Sequence, residues 1–158
     1  FHETAARVIG RTARGVKAIE LKEGDEVVGM TVVEEGKTIL TVSETGYGRK
    51  SDFDNYRVQT RGGKGLINYH VEKYGDIAAV TSVSDNDDII LIASDGIIIR
   101  IPADGISTFA RPSKGVRVMR IGEEDKVVSA IAVQKEEADE NTETSEAEGE
   151  AAEETAEE

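Results

Sequence analysis

The 158-residue chain has no Cys and no Trp, which excludes disulfides and thiolate metal sites. Its formal net charge of −13 is unevenly placed: residues 136–158 hold twelve Asp or Glu and no Lys or Arg, leaving 20 acidic and 19 basic residues in 1–135, a formal −1. No apolar run approaches the length of a membrane span, no signal-peptide pattern opens the chain, and a start at Phe1 rather than Met points to a piece of something longer.

In chain order, Gly10-Arg11-Thr12-Ala13-Arg14-Gly15-Val16 leads into two strand-like runs, residues 16–21 and 27–33, joined by a turn at 22–26. Residues 38–42 and 47–51 flank Glu44-Thr45-Gly46 and read as a hairpin. A connection of about fifteen residues then carries Gln59-Thr60-Arg61-Gly62-Gly63-Lys64-Gly65 into runs at 66–71 and 77–83. The same order returns: residues 89–93 and 97–101 around Asp95-Gly96, a strong hairpin signal, then Ala110-Arg111-Pro112-Ser113-Lys114-Gly115-Val116, then runs at 116–121 and 127–133. Helix is disfavoured because the apolar runs are short, β-branched and bounded by Gly and Asp.

Arg11, Arg61 and Arg111 fall in one column, Arg14, Lys64 and Lys114 in a second, and Gly15, Gly65 and Gly115 in a third. A fixed fifty-residue period is the signature of a repeat array, here with a unit of four strands. Four-stranded units circling an axis make blades, which predicts an all-β, propeller-like fold of antiparallel strands with about two and a half blades present. The predicted boundaries are the end of one blade at 1–36, full blades at 37–86 and 87–135, and a tail at 136–158. That acidic tail cannot bury enough apolar surface to offset its ordering entropy, so disorder is expected there. An open array leaves edges that seek a partner.

The charges follow the period. Windows 1–17, 49–65 and 100–117 contain thirteen of the nineteen Lys and Arg and only four acids, Glu3, Asp52, Asp54 and Asp104. Because the windows recur at the repeat spacing, the blades bring them to one rim, and a cationic stripe along an array fits an extended polyanion. The loops lack a base-reading helix, so phosphate-dominated, salt-dependent and weakly sequence-specific binding is expected. Phosphate contacts are expected from Arg11, Arg14, Arg49, Lys50, Arg57, Gln59, Arg61, Lys64, Arg111 and Lys114, with Gly62 and Gly63 offering backbone N–H groups.

The stretch Gln59 to Gly65 resembles the gyrase-A box of the DNA gyrase A subunit, Gln-(Arg/Lys)-Arg-Gly-Gly-Lys-Gly, with Thr60 where the box has a cation. Tyr56-Arg57-Val58, Gly24-Asp25-Glu26-Val27-Val28, Glu44-Thr45-Gly46-Tyr47-Gly48-Arg49-Lys50 and the acidic end are similar to the same subunit's C-terminal domain, so the resemblance covers essentially all of 1–135. It implies a β-pinwheel whose neighbouring blades exchange strands and whose basic rim wraps double-stranded DNA. It implies a place in an ATP-hydrolysing type II topoisomerase that introduces negative supercoils, located in the cytoplasm with the nucleoid and not at a membrane. The implied partners are the remaining blades and the cleavage domain of the A subunit, plus the B subunit in a holoenzyme with two copies of each. ATP and Mg2+ would act elsewhere in that enzyme, with no cofactor in this stretch. In that family the box lies in the first blade, whereas here it lies in the penultimate one. The corresponding domain of topoisomerase IV and a propeller serving as a protein-interaction platform are the alternatives.

No catalytic set emerges. Tyr47, Tyr56, Tyr69 and Tyr74 lack the preceding arginine of a DNA-cleaving tyrosine and read as packing or rim residues, and His2 and His70 have no partner at a telling spacing. Asp85-Asn86-Asp87-Asp88 lacks the glycine and glutamate of a calcium loop, and the glycine spacing of 10–15 meets Val16 instead of the lysine of a nucleotide loop. No metal site is predicted.

Overall fold

The computed structural model describes residues 1–135; the segment 136–158, where disorder was the expectation, lies outside the described residues. Two antiparallel hairpins anchor the architecture. Strand β1 (Thr38–Ser43) turns through Glu44-Thr45-Gly46 into β2 (Tyr47–Ser51), and β4 (Asp87–Ala93) turns through Ser94-Asp95-Gly96 into β5 (Ile98–Pro102). Gly46 and Gly96 adopt φ of +79° and +88°, a region that a side chain disfavours. The Asp95 carboxylate accepts the Ile97 N–H at 2.9 Å and fixes the second turn.

The fifty-residue register persists in the backbone. Single 3-10 turns occur at Glu3–Ala5, Phe53–Asn55 and Ala103–Gly105, and the ladders slip once between Val42 and Ser43 and once between Ile92 and Ala93. Strand β3 (Ile77–Val83) pairs with β1, and β7 (Val127–Gln134) pairs with β4. The fourth position beside β2 is filled by β6 (Val116–Arg117), a strand from the following repeat, so the first sheet runs β3-β1-β2-β6 and the second β5-β4-β7. Neighbouring blades therefore exchange a strand, as a pinwheel requires.

This exchange corrects three expectations. Residues 116–121 and 127–133 do not pair with each other, because 116–117 leaves its own repeat and joins β2. Residues 66–71 form no strand; they run into the short helix α1 (Val71–Tyr74) that ends at Gly75 with φ +89°. Residues 16–21 and 27–33 also form no strand: the counterparts that do pair, 77–83, 116–117 and 127–134, each pair with a hairpin strand, and no hairpin precedes residue 37 among the described residues. Backbone donors without a ladder partner do not make a strand.

The core lies between the sheets. Leu40 and Val42 of β1, Val83 of β3, Ile89, Leu91 and Ala93 of β4, and Val127 and Ala130 of β7 form one buried cluster with Ala103, Ile106 and Met119. On β4 only alternate residues are buried, the period of a strand with one face in the core. Residues 40–43 of β1 are all buried, because that strand is central and covered on both faces.

Candidate nucleic-acid interface

The connections that carry the basic residues lie against one another. Arg61 donates from Nε to the Ala5 carbonyl at 3.1 Å and from Nη1 to the Lys17 carbonyl at 2.8 Å. Arg111 repeats the pattern one unit on, donating from Nε to Asn55 at 2.8 Å and from Nη1 to Ile67 at 2.7 Å, with its guanidinium 5.0 Å from the Tyr56 ring centroid. The Gly62 N–H donates to the Ala18 carbonyl at 2.7 Å, and the Gly63 carbonyl accepts the Glu20 N–H at 2.9 Å. The three windows thus form one ridge in which each arginine fork clamps the preceding connection.

That geometry sorts the predicted site residues. Arg11, Arg14, Arg57 and Lys64 are exposed and make no hydrogen bond or ion pair among the described residues, and Arg7 shares that state. Gln59 is half-buried at the foot of the ridge. Arg61 and Arg111 keep their charge, but several of their donors are directed at backbone carbonyls. The N–H of Gly62 is likewise committed inside the chain, so it is not the free phosphate donor that the box suggests.

Arg49 and Lys50 are corrections, because both are buried. The third repeat's connection covers β2: the Lys50 N–H donates to Ser107, the Phe109 N–H donates to Lys50, and the Lys50 ammonium meets Asp85 at 2.5 Å. Arg49 donates to the Ser51 hydroxyl and to the backbone and side-chain oxygens of Asn68, which binds Thr41 in turn. Both cationic side chains are thus spent inside the second repeat, while the Lys50 backbone bonds the third, and neither presents charge to the rim.

Sequence reasoning missed a cluster at the exchange. Tyr47 on β2 is the register partner of Arg117 on β6, and Arg117 Nη2 donates to its hydroxyl at 2.8 Å. The Lys114 ammonium sits 3.6 Å from the Tyr47 ring centroid and 5.9 Å from that of Tyr74, over which Lys73 also lies at 5.0 Å. Tyr69 meets the Tyr74 ring edge-on at 5.7 Å and donates its hydroxyl to the Lys114 carbonyl. The Arg117 hydrogen bond, followed by that of Lys114, holds the Tyr47 phenol below its ordinary value of 10. Only the pairing of β2 with a strand from the next repeat brings these residues together. Among the described residues no group of three or more His, Asp or Glu could hold a metal, and no helix is long and apolar enough to cross a membrane.

An all-β array of blades that trade strands, with its basic connections packed in register, defines a propeller-type repeat domain. The chain belongs to the DNA gyrase C-terminal domain, beta-propeller family, which it matches over residues 1–34, 37–84 and 87–134. It is 41% identical over 146 residues to the DNA gyrase A protein of Staphylococcus aureus strain MRSA252, and 40% identical over 145 residues to that of strain NCTC 8325. Each alignment spans 90% of this chain but only 16% of the relative. Among solved structures, the C-terminal domain of DNA topoisomerase IV is similar with a TM-score of 0.77 at 26% identity, over 84% of this chain and 42% of that one. The C-terminal domain of DNA gyrase A is similar with a TM-score of 0.75 at 29% identity, over 82% and 45%.

Proposed function

We propose that the chain is a DNA-binding and DNA-wrapping part of a DNA gyrase A subunit, serving ATP-dependent negative supercoiling while contributing no catalytic group. The observation that carries this reading is the ridge: connections clamped together by Arg61 and Arg111, with Arg7, Arg11, Arg14, Arg57 and Lys64 left exposed and without acidic partners among the described residues. Exposed cations recurring along an array of repeats suit the phosphates of a duplex, largely whatever its sequence. The repeats at 1–36, 37–86 and 87–135 act as one wrapping surface. The partners are double-stranded DNA, the B subunit, and the other blades and cleavage domain of the A subunit, in a cytoplasmic, nucleoid-associated enzyme whose ATP and Mg2+ act elsewhere.

The test is titration of a labelled linear duplex with the full-length protein over a salt series. Binding that falls steeply with salt and ignores base sequence supports the proposal; no binding at low salt overturns it and leaves a protein-interaction platform. The similarity to the topoisomerase IV domain keeps one second reading, that of a domain guiding DNA geometry without strong wrapping. Supercoiling of relaxed plasmid by the reconstituted enzyme decides for gyrase, and relaxation or decatenation alone decides for the other.

A further inference from the structure

We infer that the joint between the second and third repeats carries a preorganised backbone-phosphate site for duplex DNA, built from Lys114 and Arg117 on the faces of Tyr47 and Tyr74 with Lys73 beside them. The inference rests on the DNA-binding reading and names a contact that the basic columns do not: Arg117, Lys73 and both tyrosines lie outside those columns.

Three observations carry it. First, the cations converge: Lys114 lies 3.6 Å and Arg117 5.2 Å from the Tyr47 ring centroid, while Lys114 and Lys73 lie 5.9 Å and 5.0 Å from that of Tyr74. Second, what holds them is uncharged. A ring face and a phenol orient a cation without cancelling its charge, whereas a carboxylate would neutralise it. None of the three has an ion pair among the described residues; nearby Glu44 is taken by Lys126 at 3.1 Å, and Glu72 and Asp76 point to no cation of the cluster within ion-pair distance. Third, the groups are accessible yet fixed. Lys73 and Arg117 are exposed, Tyr47, Tyr74 and Lys114 are half-buried, and Arg117 is latched to the Tyr47 hydroxyl at 2.8 Å. Less side-chain freedom is then lost when a phosphate arrives.

Among the described residues the site occurs at this joint alone. The hairpin position that Tyr47 occupies is held in the third repeat by Ile97, which is exposed. Since Tyr47 belongs to one repeat and Lys114 and Arg117 to the next, the site exists only while β6 is docked on β2. Duplex binding here therefore favours the exchanged state.

The experiment compares the full-length protein with its K114Q/R117Q variant in titrations of a labelled duplex over a salt series, each with a thermal melt. A log–log salt slope reduced by about two, with the melt unchanged, supports the site. If the double variant melts early, K73Q and R117Q alone are read instead, each expected to reduce the slope by about one. Wild-type binding with the same slope in the variants overturns this site and leaves the proposed function standing. Failure of the wild type to bind overturns both. Competition with free inorganic phosphate separates sources: displacement of duplex only at concentrations that act through ionic strength marks a duplex site, whereas displacement at constant ionic strength marks a free-phosphate site and overturns the proposal.

Discussion

Arg61 and Arg111, fifty residues apart, each reach back to two carbonyls lying 56 and 44 residues earlier: Ala5 and Lys17 for the first, Asn55 and Ile67 for the second. The column that reads as a row of phosphate contacts is therefore also the stitching between repeats. Replacing Arg111 with Ala removes two charge-assisted hydrogen bonds and the contact with the Tyr56 ring, and is expected to lower stability by about 1.5–3 kcal/mol. Lys at that position keeps the charge but cannot span both carbonyls, so Arg111→Lys should recover only a minor part. Urea midpoints of the three proteins measure this, and equal midpoints for Arg and Lys would remove the clamp from the account.

Gly115 makes the strand exchange possible. It adopts φ +81°, and a Cβ there would lie 2.3 Å from the Gly48 carbonyl oxygen, which is backbone and has little freedom to withdraw. Gly96 has a similar φ of +88° but faces open space. Gly96→Ala is thus expected to cost only the backbone strain of about 1–2 kcal/mol, while Gly115→Ala should cost at least about 1 kcal/mol more and undock β6. Thermal melts order the two variants, and hydrogen-exchange protection of the Val118 amide, which donates to the Gly46 carbonyl at 2.9 Å, reports the undocking.

Much of this fold is legible in the sequence because its strongest signals are local. Asp95-Gly96 sits between two apolar runs and Thr45-Gly46 marks the matching turn fifty residues earlier, and both hairpins form where those turns put them. The exchange is not local: nothing in residues 116–117 says that their partner is Tyr47–Gly48 of the previous repeat rather than the strand that follows. The burial of Arg49 and Lys50 follows from the same fact. Their counterparts Ile99 and Arg100 lie on the edge strand β5, with Arg100 paired to Asp88 at the surface, because no further connection covers that edge among the described residues. A charge count along the chain cannot distinguish a hairpin strand that is covered from one that is not.

Tyr47 should titrate below the ordinary phenol value of 10, since Arg117 and Lys114 favour its anionic form. A depressed folded-state value contributes stability in full above the unfolded value near 10, and that contribution is lost as pH falls through the folded one. The difference between ultraviolet titrations of the wild type and Tyr47→Phe isolates this group. An ordinary value for Tyr47 would mean that the two cations do not hold their observed places in solution.

Lys50 and Lys64 are both basic residues of the second repeat, yet they should separate in a salt-dependence experiment. Lys64 is exposed and unpaired among the described residues, so Lys64→Gln is expected to reduce the log–log slope of duplex binding by about one while leaving the melt unchanged. The Lys50 side chain is only 5% exposed and is held by Asp85, so Lys50→Met should leave the slope unchanged. Its stability should shift by no more than about 1 kcal/mol, because a buried ion pair replaced by an apolar side chain of similar length is often close to neutral. Asp85→Ala is the harsher change: it strands the Lys50 charge inside the chain and should cost about 1–2 kcal/mol, a figure moderated by the 74% exposure of the carboxylate. If Lys50→Met instead flattened the slope as Lys64→Gln does, β2 would have to open toward the duplex on binding, and the covered strand would belong to the unbound state alone.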